Sequence, residues 1–229
     1  MQRLVTFQWS TPPPTSVDEQ LAVYDDASAW LVVRRPRELS GVVGTFRSDL
    51  DSETMKALTA YAPGPVAFDL RSTPQDREAM ALADRLAAEA RTTPYAAAEF
   101  FSAPIGGIRD GKLSASLLVV GRGSHPTEFE LDPASSAIHF LQDGQPVNWQ
   151  EFPDLPMGFM TPDAEGLGGV RGPAHIEPGT FGAIAIEASA PTGATALSIQ
   201  VAGWLRGALP DEPTPERFEV RTAESPIAG

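Results

Sequence analysis

Gly179-Thr-Phe-Gly-Ala-Ile-Ala-Ile-Glu-Ala188, then Ser189-Ala-Pro-Thr-Gly193, then Thr195-Ala-Leu-Ser-Ile-Gln-Val-Ala-Gly-Trp-Leu205 is the stretch whose reading decides the fold. Leu197, Ile199 and Val201 alternate with Ser198, Gln200 and Ala202, and Ile184 and Ile186 carry the same period of two. That period belongs to half-buried strands. Pro191 and Gly193 between them supply turn geometry at hairpin length. The reading is a central antiparallel hairpin around which the other C-terminal strands gather.

Upstream of it, Leu113–Val120, Glu128–Leu131, Ala137–Leu141 and Val147–Glu151 read as strands, with Asp110-Gly111 and Asp143-Gly144 as turns. Residues 153–179 are rich in Pro and Gly and read as a long loop. Phe218–Arg221 adds a last strand. Short strands separated by turns point to a β-sandwich over residues 105–229.

Residues 1–104 read differently. Val5, Phe7 and Trp9 mark a first strand, Leu21–Val33 a hairpin turning at Asp25–Ser28, and Val42–Phe46 and Val66–Leu70 further strands. Asp51 or Ser52 caps a short helix. Thr73-Pro74 starts a longer one, with Met80, Ala83, Leu86, Ala87 and Ala90 on one stripe. Thr93-Pro94 repeats that signal and predicts a third, brief helix through Phe101. The expected class is therefore α+β, mostly antiparallel, with about three helices in an N-terminal region, 1–104, and an all-β region, 105–229. Leu21–Val33 also resembles Phe129–Leu141 in sequence, as either two related β units or, the preferred account, shared hairpin chemistry would explain.

The 229 residues, 42% hydrophobic, can fill a core. A net charge of −13 argues against affinity for nucleic acid or anionic lipid and favours a protein partner with a basic surface. The absence of cysteine excludes disulfides, thiol nucleophiles and thiolate metal sites. Neither a signal peptide nor a membrane-length apolar run is visible, so a soluble, cytoplasmic protein is expected. Two lysines against many arginines, with abundant Ala, Gly and Pro, suggest a GC-rich bacterial genome.

Chemistry-bearing motifs are sparse. His125, His139 and His175 are the only histidines, and no HExxH or Gly-x-Ser-x-Gly is present. His175-Ile-Glu177 offers a ligand and a base, and Gly123-Ser124-His125 a hydroxyl beside an imidazole, but turn chemistry accounts for the latter. Asp49, Asp51 and Glu53 mimic a calcium loop, yet Thr54 and Ala60 replace its Gly and Glu. Gly166–Gly172 runs into Pro173 and so opens no phosphate-binding helix. No catalytic residue, metal or cofactor is assigned.

The least ordinary segment is Trp149–Met160. Its Trp149, Phe152, Met157, Phe159 and Met160 are of the types enriched in interface cores, and Pro153 and Pro156 argue against a central strand. The expectation is a non-enzymatic interaction module of inhibitor, immunity or accessory type, contacting its partner through those five residues. The alternative is a hydrolase or ligand-binding enzyme with a site between the two halves.

Overall fold

A computed structural model describes residues 1–10, 18–36, 41–60, 64–67, 74–104, 108–151 and 173–227. The described strands form two sheets, almost wholly antiparallel. The first takes β1 (Arg3–Trp9), β2 (Glu19–Tyr24), β3 (Ser28–Val33), β4 (Val42–Asp49), β5 (Gly64–Ala67), β6 (Pro94–Pro104), β7 (Lys112–Gly123) and β12 (Phe181–Ser189). Its order is β12-β7-β6-β4-β3-β2-β1-β5, and only β5 runs parallel to its neighbour.

The second sheet is built on β13 (Ala196–Arg206). β8 (Thr127–Leu131) and β9 (Ala137–Gln142) lie end to end along one edge of β13. A single 3-10 turn, Pro133–Ser135, separates them. β14 (Glu216–Arg221) and β15 (Ser225–Pro226) line the other edge. β10 (Gln145–Glu151) and β11 (Ala174–Ile176) lie outside β9 and β8.

The two stretches expected to form a hairpin do not pair. β12 joins β7 in the first sheet, and β13 sits at the centre of the second. Alternation alone fits both outcomes, because a strand entering the opposite sheet also turns every second residue into the core. Ile184 and Ile186 do share one buried cluster with Leu197, Ile199 and Val201, but the contact runs from sheet to sheet. Phe100 anchors this core with ring centroids 5.6 Å from both Phe129 and Phe218. Likewise β8 and β9 are collinear, so the Leu21–Val33 likeness to Phe129–Leu141 reflects no shared hairpin.

The described residues hold two α-helices, not about three: α1 (Ser52–Thr59) and α2 (Pro74–Ala90). Asp51 caps α1, its carboxylate accepting from the Thr54 amide at 2.7 Å. The stripe Met80, Ala83, Leu86, Ala87 and Ala90 is buried against β1–β4. The third expected helix is β6. Thr93 caps nothing there: its hydroxyl donates to the carbonyls of Ala90 and Arg47, ending α2 and tying it to β4. Tertiary pairing on both edges of β6 overrides the helix preference of Ala96–Ala98.

The long sheet has different cover at its two ends. Phe100, Leu117, Val119, Ile184 and Ile186 face the second sheet. Toward β1–β4 that same face meets the 207–216 turn, where Ala208 and Leu209 pack on Tyr24, Trp30 and Val32. The opposite face is covered by α2 over β1–β4.

Candidate functional site

The face of β6, β7 and β12 turned away from the second sheet carries an apolar strip. Directly paired residues of an antiparallel ladder share a face, as do residues two apart on a strand. Phe101 pairs with Leu118, which pairs with Ala183; Glu99 pairs with Val120, which pairs with Phe181. Phe101, Leu118, Val120, Phe181 and Ala183 therefore lie together. Phe101 is 37% and Phe181 55% exposed, the large hydrophobic side chains on this face left open to solvent among the described residues. Leu118, Val120 and Ala183 between them are half-buried.

The strip borders a cleft of about 740 Å³ between the first sheet and α2. Val33, Val42, Phe46 and Pro94 give it an apolar lining. Four of its charged groups form two ion pairs. The Glu19 carboxylate, 1% exposed, accepts from Arg91 Nη2 at 2.5 Å, and Arg122 Nε donates to Glu99 Oε2 at 2.6 Å. Asp84 accepts from the Trp9 indole at 3.0 Å.

A second cleft, about 420 Å³, draws its walls from both halves of the chain, including Thr45, Tyr95, His125, Glu128, His175 and Arg206. The His125 ring stacks on Tyr95 with centroids 3.8 Å apart, and Tyr95 meets Trp30 edge-on at 4.7 Å. Ser124 Oγ does hydrogen-bond His125 Nδ1, at 2.9 Å, but both backbone amides also donate to the Tyr95 carbonyl. The pair is thus part of a turn clamped onto β6. His175 Nε2 lies 2.8 Å from Glu177 Oε1, and its Nδ1 3.7 Å from Glu128 Oε1. Among the described residues no three His, Asp or Glu side chains converge to hold a metal. His139 lies elsewhere, half-buried on the second sheet and bonded to Gln200 at 3.1 Å.

Of the five residues expected from sequence to contact a partner, Phe152, Met157, Phe159 and Met160 lie outside the described residues. Trp149 falls within β10, where the backbone alone is described. Phe101 is hidden in the sequence because Thr93-Pro94 signals a helix through it, and Phe181 because Ile184 and Ile186 give β12 its stronger, buried parity. The available signal was parity itself: Phe181 alternates with Ile184 and Ile186 and so faces away from the core they fill.

Among the described residues no helix is long and apolar enough to cross a membrane. Comparison with known protein families, with curated proteins and with solved structures finds no match to this chain.

Proposed function

We propose that the protein is a non-enzymatic interaction module that engages another protein through the outer face of β6, β7 and β12. The observation that carries this reading is the joint exposure of Phe101 and Phe181 on one sheet face, with Leu118 and Val120 between them. Exposed apolar patches of this kind mark interaction sites, and aromatic anchors dominate their energetics. The net charge of −13 favours a partner with a basic surface, whose approach it accelerates. On sequence grounds Trp149, Phe152, Met157, Phe159 and Met160 join the same reading as further contacts.

The test is affinity capture from the native host with two baits, the wild-type chain and Phe101→Ser/Phe181→Ser. The reading expects a partner held by the first, lost from the second, and bound more slowly as salt rises. Equal capture by both baits contradicts it.

The second reading, a small-ligand site between the halves, is favoured by the 420 Å³ cleft with His125 and His175 in its wall. It expects His175→Ala to abolish binding or turnover with folding intact. The interaction reading expects that variant to behave as wild type.

A further inference from the structure

Exposed sheet edges offer unpaired N–H and C=O groups to any passing strand, and natural sheets blunt them with short strands, Pro, charges or bulges. Most edges of this molecule follow that rule. β5 is four residues long and contains Pro65. β10 contains Pro146, and its pairing shifts register between Pro146 and Gln150. β11 is three residues long, and β15 is two and contains Pro226. β14 carries Glu216, Arg217, Glu219 and Arg221 within six residues.

β12 has none of these protections. It is nine residues long, lacks Pro, and has Glu187 as its one ionisable side chain. All nine residues pair with β7 in unbroken register. Among the described residues no strand occupies its other side.

We propose that β12 pairs antiparallel with β12 of a second copy of this chain, about a two-fold axis through Ala185, joining the two eight-stranded sheets into one. The strand is self-complementary in that register. Ile184 falls opposite Ile186 of the second copy, Ala185 opposite Ala185, and Ala183 opposite Glu187. The two Glu187 carboxylates are then four residues apart along the pair, about 13 Å at strand rise, beyond the screening length of about 8 Å at physiological salt.

Charge also selects this edge for a chain that must meet its own −13 copy. Lys112 pairs with Ser189 and so sits diagonal to Glu187 on the same face, and Arg122 is bonded to Glu99. The ionisable groups at this end of the sheet are therefore of mixed sign, with Lys112 and Arg122 beside Glu187 and Glu99. The pairing uses backbone groups at the edge and leaves the Phe101–Phe181 face open. It therefore stands independently of the proposed function, and Phe101→Ser, two strands away, is expected to leave it intact.

Sedimentation velocity on the full chain, from low to high micromolar, tests the proposal. The expected result is a concentration-dependent dimer that tightens as added salt screens the net charge. Ala185→Lys and Ala185→Glu place like charges directly opposite at the axis, so each is expected to weaken self-association by roughly tenfold or more. An equimolar mixture of the two is expected to restore a mixed dimer. Ala185 is exposed, so both variants should unfold thermally as wild type does. Ala183→Lys supplies an independent check, because in this register it meets Glu187 of the second copy and tightens the dimer. A wild-type chain monomeric throughout, or a dimer indifferent to Ala185→Lys, overturns the proposal, as does a mixture that stays monomeric.

Discussion

Asp211 ties the 207–216 turn to β1 and β2 of the first sheet. Arg3 Nε and Nη2 donate to its two oxygens at 2.9 and 2.6 Å, and the buried Tyr24 hydroxyl donates to Oδ1 at 2.5 Å. The Arg3 bonds hold the Asp211 carboxyl below the usual carboxylate range, burial working against them and Tyr24 with them. Burial, then the Asp211 bond, pushes the Tyr24 phenol above its ordinary value. Tyr24→Phe is expected to lower stability by about 1.5–3 kcal/mol, the worth of a hydrogen bond to a charged group, read by chemical denaturation. A carboxylate whose folded pKa lies below its unfolded one stabilises fully above the unfolded value and loses that contribution as pH falls through the folded one. The stability gap between wild type and Asp211→Asn should therefore shrink as pH drops below about 4. A gap that stays constant into strong acid contradicts the assignment.

Ala27 illustrates strain at the same scale. Its φ of 62° is left-handed, held by Asp26 Oδ1, which accepts from the Ser28 amide and hydroxyl at 3.1 and 2.6 Å. Asp25–Ser28 was legible as a turn because these residue types bond their own backbone. Ala27→Gly is expected to raise the unfolding midpoint slightly, relieving an αL cost of about 1–2 kcal/mol less the added entropy of the unfolded chain.

At the scale of elements, the strands whose inward residues are large were readable, and their partners were not. β7, β8, β9, β13 and β14 lie where alternation placed them, because Leu, Ile, Phe and Val on one parity must be buried whichever strand lies alongside. Register with a neighbour depends on backbone bonds that leave no mark in one strand's own pattern, so β12 and β13 read as a hairpin. β6 was hidden for another reason: Ala96–Ala98 favours helix locally, and the close approach of β6 to its neighbour is marked only on β4, by Gly44. A Cβ on Gly44, at φ +129°, would meet the Ala96 carbonyl oxygen at 2.4 Å. The centre of the second sheet is equally close-packed. A Cβ on Gly203 would lie 2.2 Å from the Glu130 carbonyl oxygen and 2.7 Å from the Phe218 ring. Gly203→Ala is expected to cost about 1–3 kcal/mol, as overpacked cores do, visible as a lower denaturation midpoint. An unchanged midpoint contradicts this packing.

For the whole molecule, the consequential feature is a mismatch of extent. Among the described residues, one face of the eight-stranded sheet is packed from β2 to β12, while the helices cover the other face over β1–β4. What the described residues leave uncovered is the strip beside the larger cleft, and composition could not reveal it. Exposure there follows from where the helix stops, a tertiary fact, whereas the acidic balance and the absence of thiol chemistry were plain from the residues alone.

Phe100 and Phe101 put that mismatch to its most direct test, because they are neighbours on β6 that face opposite sides of the sheet. Phe100 is 1% exposed within the inter-sheet core, and Phe101 is 37% exposed on the strip. Denaturant unfolding of Phe100→Ala, and separately of Phe101→Ser/Phe181→Ser, measures both. The account predicts a loss of about 3–5 kcal/mol for the first, as for other buried aromatics, and a change within about 1 kcal/mol for the second, as for surface sites. A double variant destabilised as severely as Phe100→Ala would make the strip part of the core and contradict the proposal that it is a surface open to a partner.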